Sequence, residues 1–353
     1  MDRPQYDVIV VGAGMAGLVA AATAAETGAA TALVHDGLGS FVYGAGCVAD
    51  LAAPAAAAET QALALFSRLT EAAGAPYHGG PGQQHRLYSI LGTVQEAALV
   101  PAALWEGRGR PGLEVVVAGI AGLSAFDSRF LAERLRHRAA EQGLDCRYLP
   151  RDIALPRQDG LPHTPLLLAN RFDADPAFRA LLAQRLAPLA AEGGQLLLPS
   201  ILGQRSTAAD LAAFAAAAGT MPGELPTLPP SVAGLRLSAL LLRQLRRAGV
   251  EVMGGHAVSA LILAQGACRG VRLATPGHAR TLSARAVLVA AGPHAGALLP
   301  GWSGGADSGF RPLEASGAPL ARGLHVAGAL LSGTGNGRAI VGGHAAALAA
   351  LAA

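Results

Sequence analysis

The sequence predicts an α/β protein of two domains. Three observations predict this class: a short β-branched strand near the start, a glycine-rich turn directly after it, and a helix and a second strand that follow at once. The chain has 353 residues, which is enough for two domains of ordinary size. Hydrophobic residues make up 52% of it and charged residues 14%, so it has the apolar material for a folded core and not the composition of a disordered protein.

The first elements form one β–α–β unit. Residues Tyr6–Val11 are a short, uninterrupted β-branched run, which predicts a buried strand. A helix is predicted over Met15–Thr27, and it ends before Gly28, a residue type favoured just beyond a helix C-terminus. The second strand is predicted over Ala30–His35, with Asp36 at its end.

The later chain alternates between helical and extended patterns. Helices are predicted over residues 55–74, Ser128–Gln142, 176–192, 207–218 and Ser231–Ala248. Strands are predicted over Val115–Ala118, Arg147–Ala154, Gln195–Leu198, Val250–Met253, Ala257–Ala264, Val271–Ala274, Ala286–Ala290 and Leu324–Ala327, before a terminal helix over Gly343–Ala352. The stretch 76–112 is rich in glycine, proline and histidine, which predicts loops or short strands.

Charge, aromatic content and cysteine spacing exclude several classes of protein. The 27 basic and 24 acidic residues are interspersed and aromatic residues are only 4%, which is not the pattern of a nucleic-acid-binding protein. Cys47, Cys146 and Cys268 form no CxxC pair, so no zinc site, disulfide framework or cysteine-ligated iron–sulfur cluster is expected. The sequence shows neither a signal peptide nor an apolar stretch of about 18 residues, so a cytoplasmic location without a transmembrane segment is expected.

The glycine-rich turn has the spacing of a dinucleotide-binding fingerprint. Gly12 permits a tight turn, Gly14 lets a pyrophosphate approach the backbone, and Gly17 lets the helix pack close to the sheet. The N-terminus of the following helix offers unpaired N–H groups and the positive end of its dipole to the phosphates. Asp36 is placed to accept hydrogen bonds from ribose hydroxyls. The alternative is a glycine-rich turn that binds no ligand.

Two late segments favour FAD over a nicotinamide cofactor. In flavoproteins of glutathione-reductase-like architecture the chain returns to the nucleotide domain late in the sequence. Ala286–Gly292 and Gly323–Gly328 both have the form of a strand that ends in a glycine turn, and the second is followed by Gly342-Gly343 and the terminal helix. We therefore expect a glutathione-reductase-like, dinucleotide-binding flavoprotein fold with a central cap or substrate domain. A nicotinamide-dependent reductase is the alternative.

Domain boundaries and cofactor contacts follow from this interpretation. Residues 1–75 and 255–353 are expected to form the FAD domain, and residues 76–254 the cap or partner-binding domain. The predicted cofactor-binding residues are Gly12, Ala13, Gly14, Met15, Ala16, Gly17, Asp36, Gly46, Val258, Gly292, Gly328, Gly342 and Gly343. No metal-binding residues are predicted.

Motifs outside the fingerprint point to a family. The most distinctive is the proline-rich block Leu225–Leu237, which reads LPTLPPSVAGLRL. Further motifs are Gly119–Leu123, Leu91–Thr93, and Leu198-Pro199 with Leu202-Gly203. With these motifs and both ends of the chain, the sequence resembles the B subunit of anaerobic glycerol-3-phosphate dehydrogenase, a flavoprotein family, over most of its length. It departs from the family at Ala45–Asp50, where a Ser-Gly-Ser segment before a Leu-Asp pair is usual, and in a shorter stretch between Gly296 and Gly309.

The resemblance implies an activity and partners. Glycerol 3-phosphate would be oxidised to dihydroxyacetone phosphate, with electrons passed towards quinone. The partners implied are a larger flavoprotein catalytic subunit and an iron–sulfur subunit that anchors the assembly, which would place the chain peripherally on the inner face of the cell membrane. The family is associated with FMN, whereas the fingerprint favours FAD, so FAD is the prediction and FMN the alternative.

The spacing of polar residues assigns no catalytic base. Several side chains could serve at a flavin or bind a phosphate, and each has an equally simple structural role: His256, His294, His344, Arg236, Arg311, Arg338 and Cys47. Two further functions therefore stay open beside glycerol 3-phosphate oxidation. The chain could be a non-catalytic, flavin-holding electron-relay or assembly subunit, or a stand-alone FAD-dependent oxidoreductase with another substrate.

Overall fold

The chain divides into two units in the computed structural model, which describes residues 5–51, 56–110, 112–158, 160–274, 280–333 and 335–353. Unit 1 consists of Met1–Phe41, Asp50–Ala72 and Leu241–Ala353, and unit 2 of Val42–Ala49 and Ala73–Leu240. Each unit has its own parallel strands and its own apolar core.

The elements are numbered along the chain. The strands are β1 Tyr6–Ala13, β2 Thr31–Leu38, β3 Tyr77–Gly79, β4 His85–Tyr88, β5 Val94–Ala97, β6 Leu99–Pro101, β7 Glu114–Ile120, β8 Arg147–Ile153, β9 Gln195–Pro199, β10 Gly223–Leu225, β11 Glu251–Gly254, β12 Ala257–Ala264, β13 Ala267–Ala274, β14 Arg280–Val289, β15 Trp302–Ala306, β16 Pro312–Glu314 and β17 Leu324–Val326. The helices are α1 Met15–Glu26, α2 Ala57–Ala73, α3 Ala102–Trp105, α4 Ser128–Glu141, α5 Pro165–Ala174, α6 Pro176–Ala190, α7 Ala208–Ala218, α8 Val232–Arg247, α9 Ala329–Ser332 and α10 Asn336–Ala352. Among the described residues, none of the helices has the length and apolar character needed to cross a membrane.

The sheet of unit 1 is built around β1. Its strand order is β11-β2-β1-β14-β13-β12, with β17 also paired to β14. Strand β1 runs parallel to β2 and to β14, so that Val8 pairs with Thr31 on one side and with Ala286 on the other. Val8, Ile9 and Val10 are completely buried, as expected for a parallel strand covered on both faces. Strand β14 begins earlier than predicted because its first half pairs with β13.

Helices α1 and α10 pack against each other in unit 1. A Cβ on Gly343 would overlap with the carbonyl oxygen of Ala16, so only glycine allows this close backbone contact. Further along, the Thr23 hydroxyl lies 3.0 Å from Nδ1 of His344. The residues just beyond α1 and the last turn of α10 then line one open cavity of about 1050 Å³. The two helices therefore run side by side in the same direction.

Helix α10 begins earlier than the sequence predicts. The predicted start at Gly343 is wrong, because the helix begins at Asn336 and Gly342-Gly343 lie about two turns inside it. Glycines at 337, 342 and 343 weaken the local helical pattern, and the first turn is stabilised instead by hydrogen bonds to a distant carboxylate, Asp50.

Unit 2 contains a second, smaller parallel sheet. Its strand order is β10-β9-β7-β8, and helices such as α4 and α6 cover it with a continuous apolar core. The stretch predicted as loops or short strands contains strands β3 to β6 and helix α3. Helix α5 is not among the predicted helices; it begins at Pro165 after Thr164, whose hydroxyl accepts the N–H of Leu167 at 3.2 Å.

Candidate functional site

The glycine-rich turn joins β1 to α1 at the carboxyl edge of the unit 1 sheet. Gly14 is the N-cap of α1, and no side chain accepts a hydrogen bond from the first turn of the helix at this cap. The first turn also contains no acidic residue. The positive end of the helix dipole is therefore not neutralised by its own side chains, which suits it to hold an anionic group.

Each glycine of the fingerprint has a different surrounding. Gly12 has a φ of +109°, and a Cβ there would lie 2.5 Å from the carbonyl oxygen of Ala290 on the neighbouring strand segment. A Cβ on Gly17 would overlap with the carbonyl oxygen of Gly12. A Cβ on Gly14, in contrast, would meet no protein atom closer than 4.0 Å. The protein itself needs glycine at 12 and 17, whereas at 14 it leaves a space that a ligand can use.

The end of β2 lies beside this turn. Asp36 is exposed, and it lies within β2 rather than after it, because the strand continues to Leu38 through an irregularity in its pairing with β1. Sequence reasoning missed Gly39, where a Cβ would lie 2.6 Å from the Cα of Gly14. Burial, the largest cause, lowers the pKa of His35, whose ring lies against Gly254. The partly buried ring of His35 and the exposed side chain of Asp36 thus lie at this strand end.

Two late segments enclose the first turn of α1. Gly328 follows β17, and a Cβ there would lie 2.9 Å from the Cβ of Ala16. Gly343 packs on the backbone of the same alanine. Gly292 follows β14 with a φ of +73°, and a Cβ there would meet nothing within 4 Å. The structure therefore brings Gly292, Gly328 and Gly343 into the same unit as the fingerprint, with Gly328 and Gly343 in contact with α1.

The structure places three other predicted contacts differently. Gly46 belongs to unit 2, where its carbonyl accepts the hydroxyl of Tyr77 at 2.8 Å and a Cβ would lie 2.5 Å from Leu237. Val258 lies in β12 and packs against the apolar core of unit 1. Gly342 lies inside α10, and a Cβ there would meet nothing within 4 Å outside the helix's own backbone. A cofactor contact at each of these residues stays a prediction.

Asp50 is the functional candidate that sequence reasoning missed. Its Oδ1 accepts the N–H of Gly337 at 2.8 Å, and its Oδ2 accepts the N–H of Arg338 at 3.0 Å. Asp50 thus fills the N-terminus of α10, the end of the helix nearest to the carboxyl edge of the sheet. No local motif signals this contact, because its two sides are nearly 290 residues apart.

The structure gives none of the candidate histidines whose side chains it describes a position that marks it as catalytic. The sequence places His344 at the N-terminus of the last helix, but it lies two turns inside it, and burial, the largest cause, lowers its pKa. His256 is half-buried, and its backbone N–H donates to the carbonyl of His35 at 3.1 Å. The side chain of His294 lies outside the described part of the chain. None of the side chains described here is placed as an evident catalytic base.

Arg236 and Arg311, two of the candidate phosphate-binding residues, form ion pairs. Arg236 is buried, with Nε donating to the carbonyl of Gly203 at 2.8 Å and the guanidinium paired with the carboxylate of Glu224. Arg311 pairs with Asp307 at 2.6 Å. Arg338 lies at the exposed start of α10. In the described residues, no group of three or more His, Cys, Asp or Glu side chains is placed to hold a metal ion.

Cys47 is a buried thiol of unit 2. It packs with Ala45, Leu87 and Val100 in a small apolar cluster, and burial raises its pKa to about 12. Burial also raises the pKa of Cys268 to about 11. Because the thiolate is the reactive form, the raised pKa and the burial of both thiols make them unreactive in the folded protein.

We expect one fast-reacting thiol in the native protein. Cys146 is the half-buried cysteine and should react with a disulfide reagent at pH 8, while Cys47 and Cys268 react only after unfolding. A colorimetric titration in buffer and in guanidinium chloride measures this, with a Cys146→Ser variant as control. Fast labelling of Cys47 in that folded variant would contradict the assignment.

The residues at the turn fit the diphosphate of FAD. The first turn of α1 is uncapped, the space at Gly14 is open, and the exposed carboxylate of Asp36 lies where a ribose follows a diphosphate. FMN has a single phosphate and no adenosine, so it would leave Asp36 without a role. The start of α10 differs from the start of α1, because its N–H groups already donate to a carboxylate, that of Asp50. A negative charge therefore lies at the first turn of α10.

Comparison with known proteins agrees with this geometry. The family model of glucose inhibited division protein A matches residues 7–73, and the FAD binding domain model matches residues 232–338. The B subunit of anaerobic glycerol-3-phosphate dehydrogenase from Pectobacterium carotovorum subsp. carotovorum (strain PC1) is 31% identical over 309 residues, which cover 74% of this chain and 69% of the relative. The equivalent protein of Yersinia enterocolitica serotype O:8 / biotype 1B is 30% identical over 287 residues, or 72% and 67% of the two chains.

Solved structures show only a distant likeness. The crystal structure of 3-ketosteroid delta1-dehydrogenase from Sterolibacterium denitrificans covers 82% of this chain and 48% of its own, at 17% identity and a TM-score of 0.34.

The fold and the matched models define the class of the protein. It is an FAD-binding, flavin-dependent oxidoreductase with the α/β dinucleotide-binding fold expected from the turn at Gly12–Gly17. Within that class, the chain belongs to the family of anaerobic glycerol-3-phosphate dehydrogenase B subunits. The fold class, the FAD cofactor and the family predicted from the sequence are confirmed.

Proposed function

We propose that the chain is an FAD-holding subunit of an assembly that oxidises glycerol 3-phosphate to dihydroxyacetone phosphate and passes the electrons towards quinone. The relationship to the B subunits over about three quarters of this chain carries the proposal. The partners are a larger flavoprotein subunit and an iron–sulfur subunit that anchors the assembly at the membrane. Unit 1 is the FAD domain, and unit 2 is the cap or partner-binding domain.

The chain's residues have separate tasks in this function. The N–H groups at the start of α1 hold the diphosphate, the open space at Gly14 lets it reach the backbone, and Asp36 holds the ribose. When bound, FAD would supply the hydride acceptor for oxidation at C2 of glycerol 3-phosphate, a reaction that also needs a base for the C2 hydroxyl proton. The two electrons would then be available to the next carrier.

The ion pairs formed by two arginines favour a second candidate function. A phosphorylated substrate needs cationic side chains to hold it. Arg236 and Arg311 are already neutralised by Glu224 and Asp307, which leaves fewer cations for a phosphate. This observation favours a flavin-holding electron-relay subunit that does not itself bind glycerol 3-phosphate.

Anaerobic bleaching of the flavin spectrum tests both candidates. Glycerol 3-phosphate is added to the FAD-loaded chain alone and then to the chain with its two partner subunits, with unphosphorylated glycerol as the control. Bleaching of the chain alone supports a substrate-oxidising subunit, and bleaching that requires the partners supports the relay. If glycerol 3-phosphate bleaches neither sample, both candidate functions are wrong.

A further inference from the structure

The N-terminus of α10 is capped by a residue from a distant part of the chain. The helix's own N-cap, Gly335, has no side chain to contribute, and the N–H groups of Gly337 and Arg338 donate to the two carboxylate oxygens of Asp50. This carboxylate interacts favourably with the positive end of a 17-residue helix.

The glycines of the first turn make room for this carboxylate. A Cβ on Gly335 would overlap with Oδ2 of Asp50. A Cβ on Gly337 would lie 2.8 Å from the Asp50 carbonyl oxygen and 2.9 Å from the side chain of Leu51. Both positions therefore need glycine if the Asp50 carboxylate is to reach the N-terminus of α10.

The N-terminus of α10 lies further out along the helix direction than the first turn of α1. Helices α1 and α10 run in the same direction, and Gly343 lies level with Ala16 in the first turn of α1. Asn336 precedes Gly343 by seven residues, so α10 starts about 10 Å further out than the first turn of α1. A ligand that rests its diphosphate on α1 and extends towards α10 would have its other end beside Asp50.

The strand order indicates which half of FAD would lie beside Asp50. Asp36 lies on β2, on one side of β1, whereas β14, β17 and the following α10 lie on the other side. With the adenosine ribose at Asp36, the flavin half of FAD extends towards α10. In that placement the flavin would lie beside a helix end whose N–H groups already donate to a carboxylate.

We infer that Asp50 lowers the reduction potential of the bound FAD by occupying the N-terminus of α10. A free helix end would stabilise the electron-rich, reduced flavin, whereas a carboxylate there disfavours two added electrons. Asp50 is thus a positioning residue for the helix and sets the electrostatic potential at the flavin. The inference rests on the proposed placement of FAD.

The test compares the affinities of the full-length protein for oxidised and reduced FAD. In Asp50→Asn the affinity for reduced FAD should rise about tenfold relative to that for oxidised FAD, which corresponds to a potential about 30 mV higher for a two-electron couple. Equilibration with a redox dye of known potential measures this ratio. Glu26→Gln is the matched control, because it removes an exposed carboxylate at the C-terminal end of α1, outside the proposed FAD site, and should leave the ratio unchanged.

A second variant and the wild type complete the test. Asp50→Ser keeps a neutral helix cap and should raise the ratio as Asp50→Asn does. If both variants fold and bind FAD with an unchanged ratio, Asp50 has only a structural role and the inference is wrong. If the wild-type chain itself binds no FAD, the failure lies with the proposed function and is recognised before any variant is compared.

Discussion

Replacing Gly14 by valine is expected to weaken FAD binding by at least about 100-fold, or roughly 2.7 kcal/mol, while the protein stays folded. The backbone at Gly14 has a φ of −74°, which any residue adopts, and a Cβ there would meet no protein atom closer than 4.0 Å. The added side chain would therefore enter the open space beside the turn, where we propose that the diphosphate lies. Titration of apoprotein with FAD, followed by flavin fluorescence, measures the loss.

Neighbouring substitutions provide the controls. Gly14→Ala adds one carbon and should cause a smaller loss of FAD affinity than Gly14→Val. Gly17→Ala, in contrast, should unfold the crossover, because its Cβ would overlap with the carbonyl of Gly12. Thermal unfolding of each apoprotein separates the two effects. If Gly14→Val binds FAD as tightly as the wild type, the diphosphate does not rest on this turn.

Replacing Glu224 by alanine is expected to reduce the free energy of unfolding of unit 2 by about 3–5 kcal/mol. Glu224 and Arg236 are 1% and 4% exposed, so the variant leaves a guanidinium buried without its counter-charge. It also removes the acceptor for the backbone N–H groups of Ile201 and Leu202, each 3.0 Å from Oε1 of Glu224. Urea denaturation followed by fluorescence measures the change.

The reverse substitution and the double variant separate the contributions. Arg236→Met should be less damaging, because Glu224 keeps its two backbone N–H donors. The double variant Glu224→Leu with Arg236→Met removes both charges and should recover part of the stability lost in Glu224→Ala. Equal stability of Glu224→Ala and the wild type would show that the buried pair contributes nothing.

The first β–α–β unit could be predicted because its signals are local. The run Tyr6–Val11 ends in four consecutive β-branched residues, and close packing explains two of the glycines that follow it, Gly12 and Gly17. The same holds for the strand at Leu324–Val326 and for the family block at Leu225–Leu237. In each case neighbouring residues carry the whole signal.

The contacts that define the rest of the site are not local. The pairing of Asp50 with Gly337 joins residues 287 positions apart, and without it the start of α10 has only glycines and polar residues to indicate a helix. From the sequence alone, Arg236 could either bind a phosphate or form a salt bridge within its own helix. Its actual partner, Glu224, lies on the three-residue strand β10, which is too short to give a pattern.

The position of β1 in its sheet has a consequence for protein synthesis. Strand β1 leaves the ribosome long before its neighbour β14 and the helix α10 are translated. Unit 2, most of which is one continuous stretch of the sequence, can fold while β1 still lacks its neighbour β14. We therefore expect nascent chains stalled before β14 to carry no flavin, because the sheet on which the fingerprint turn rests still lacks β14.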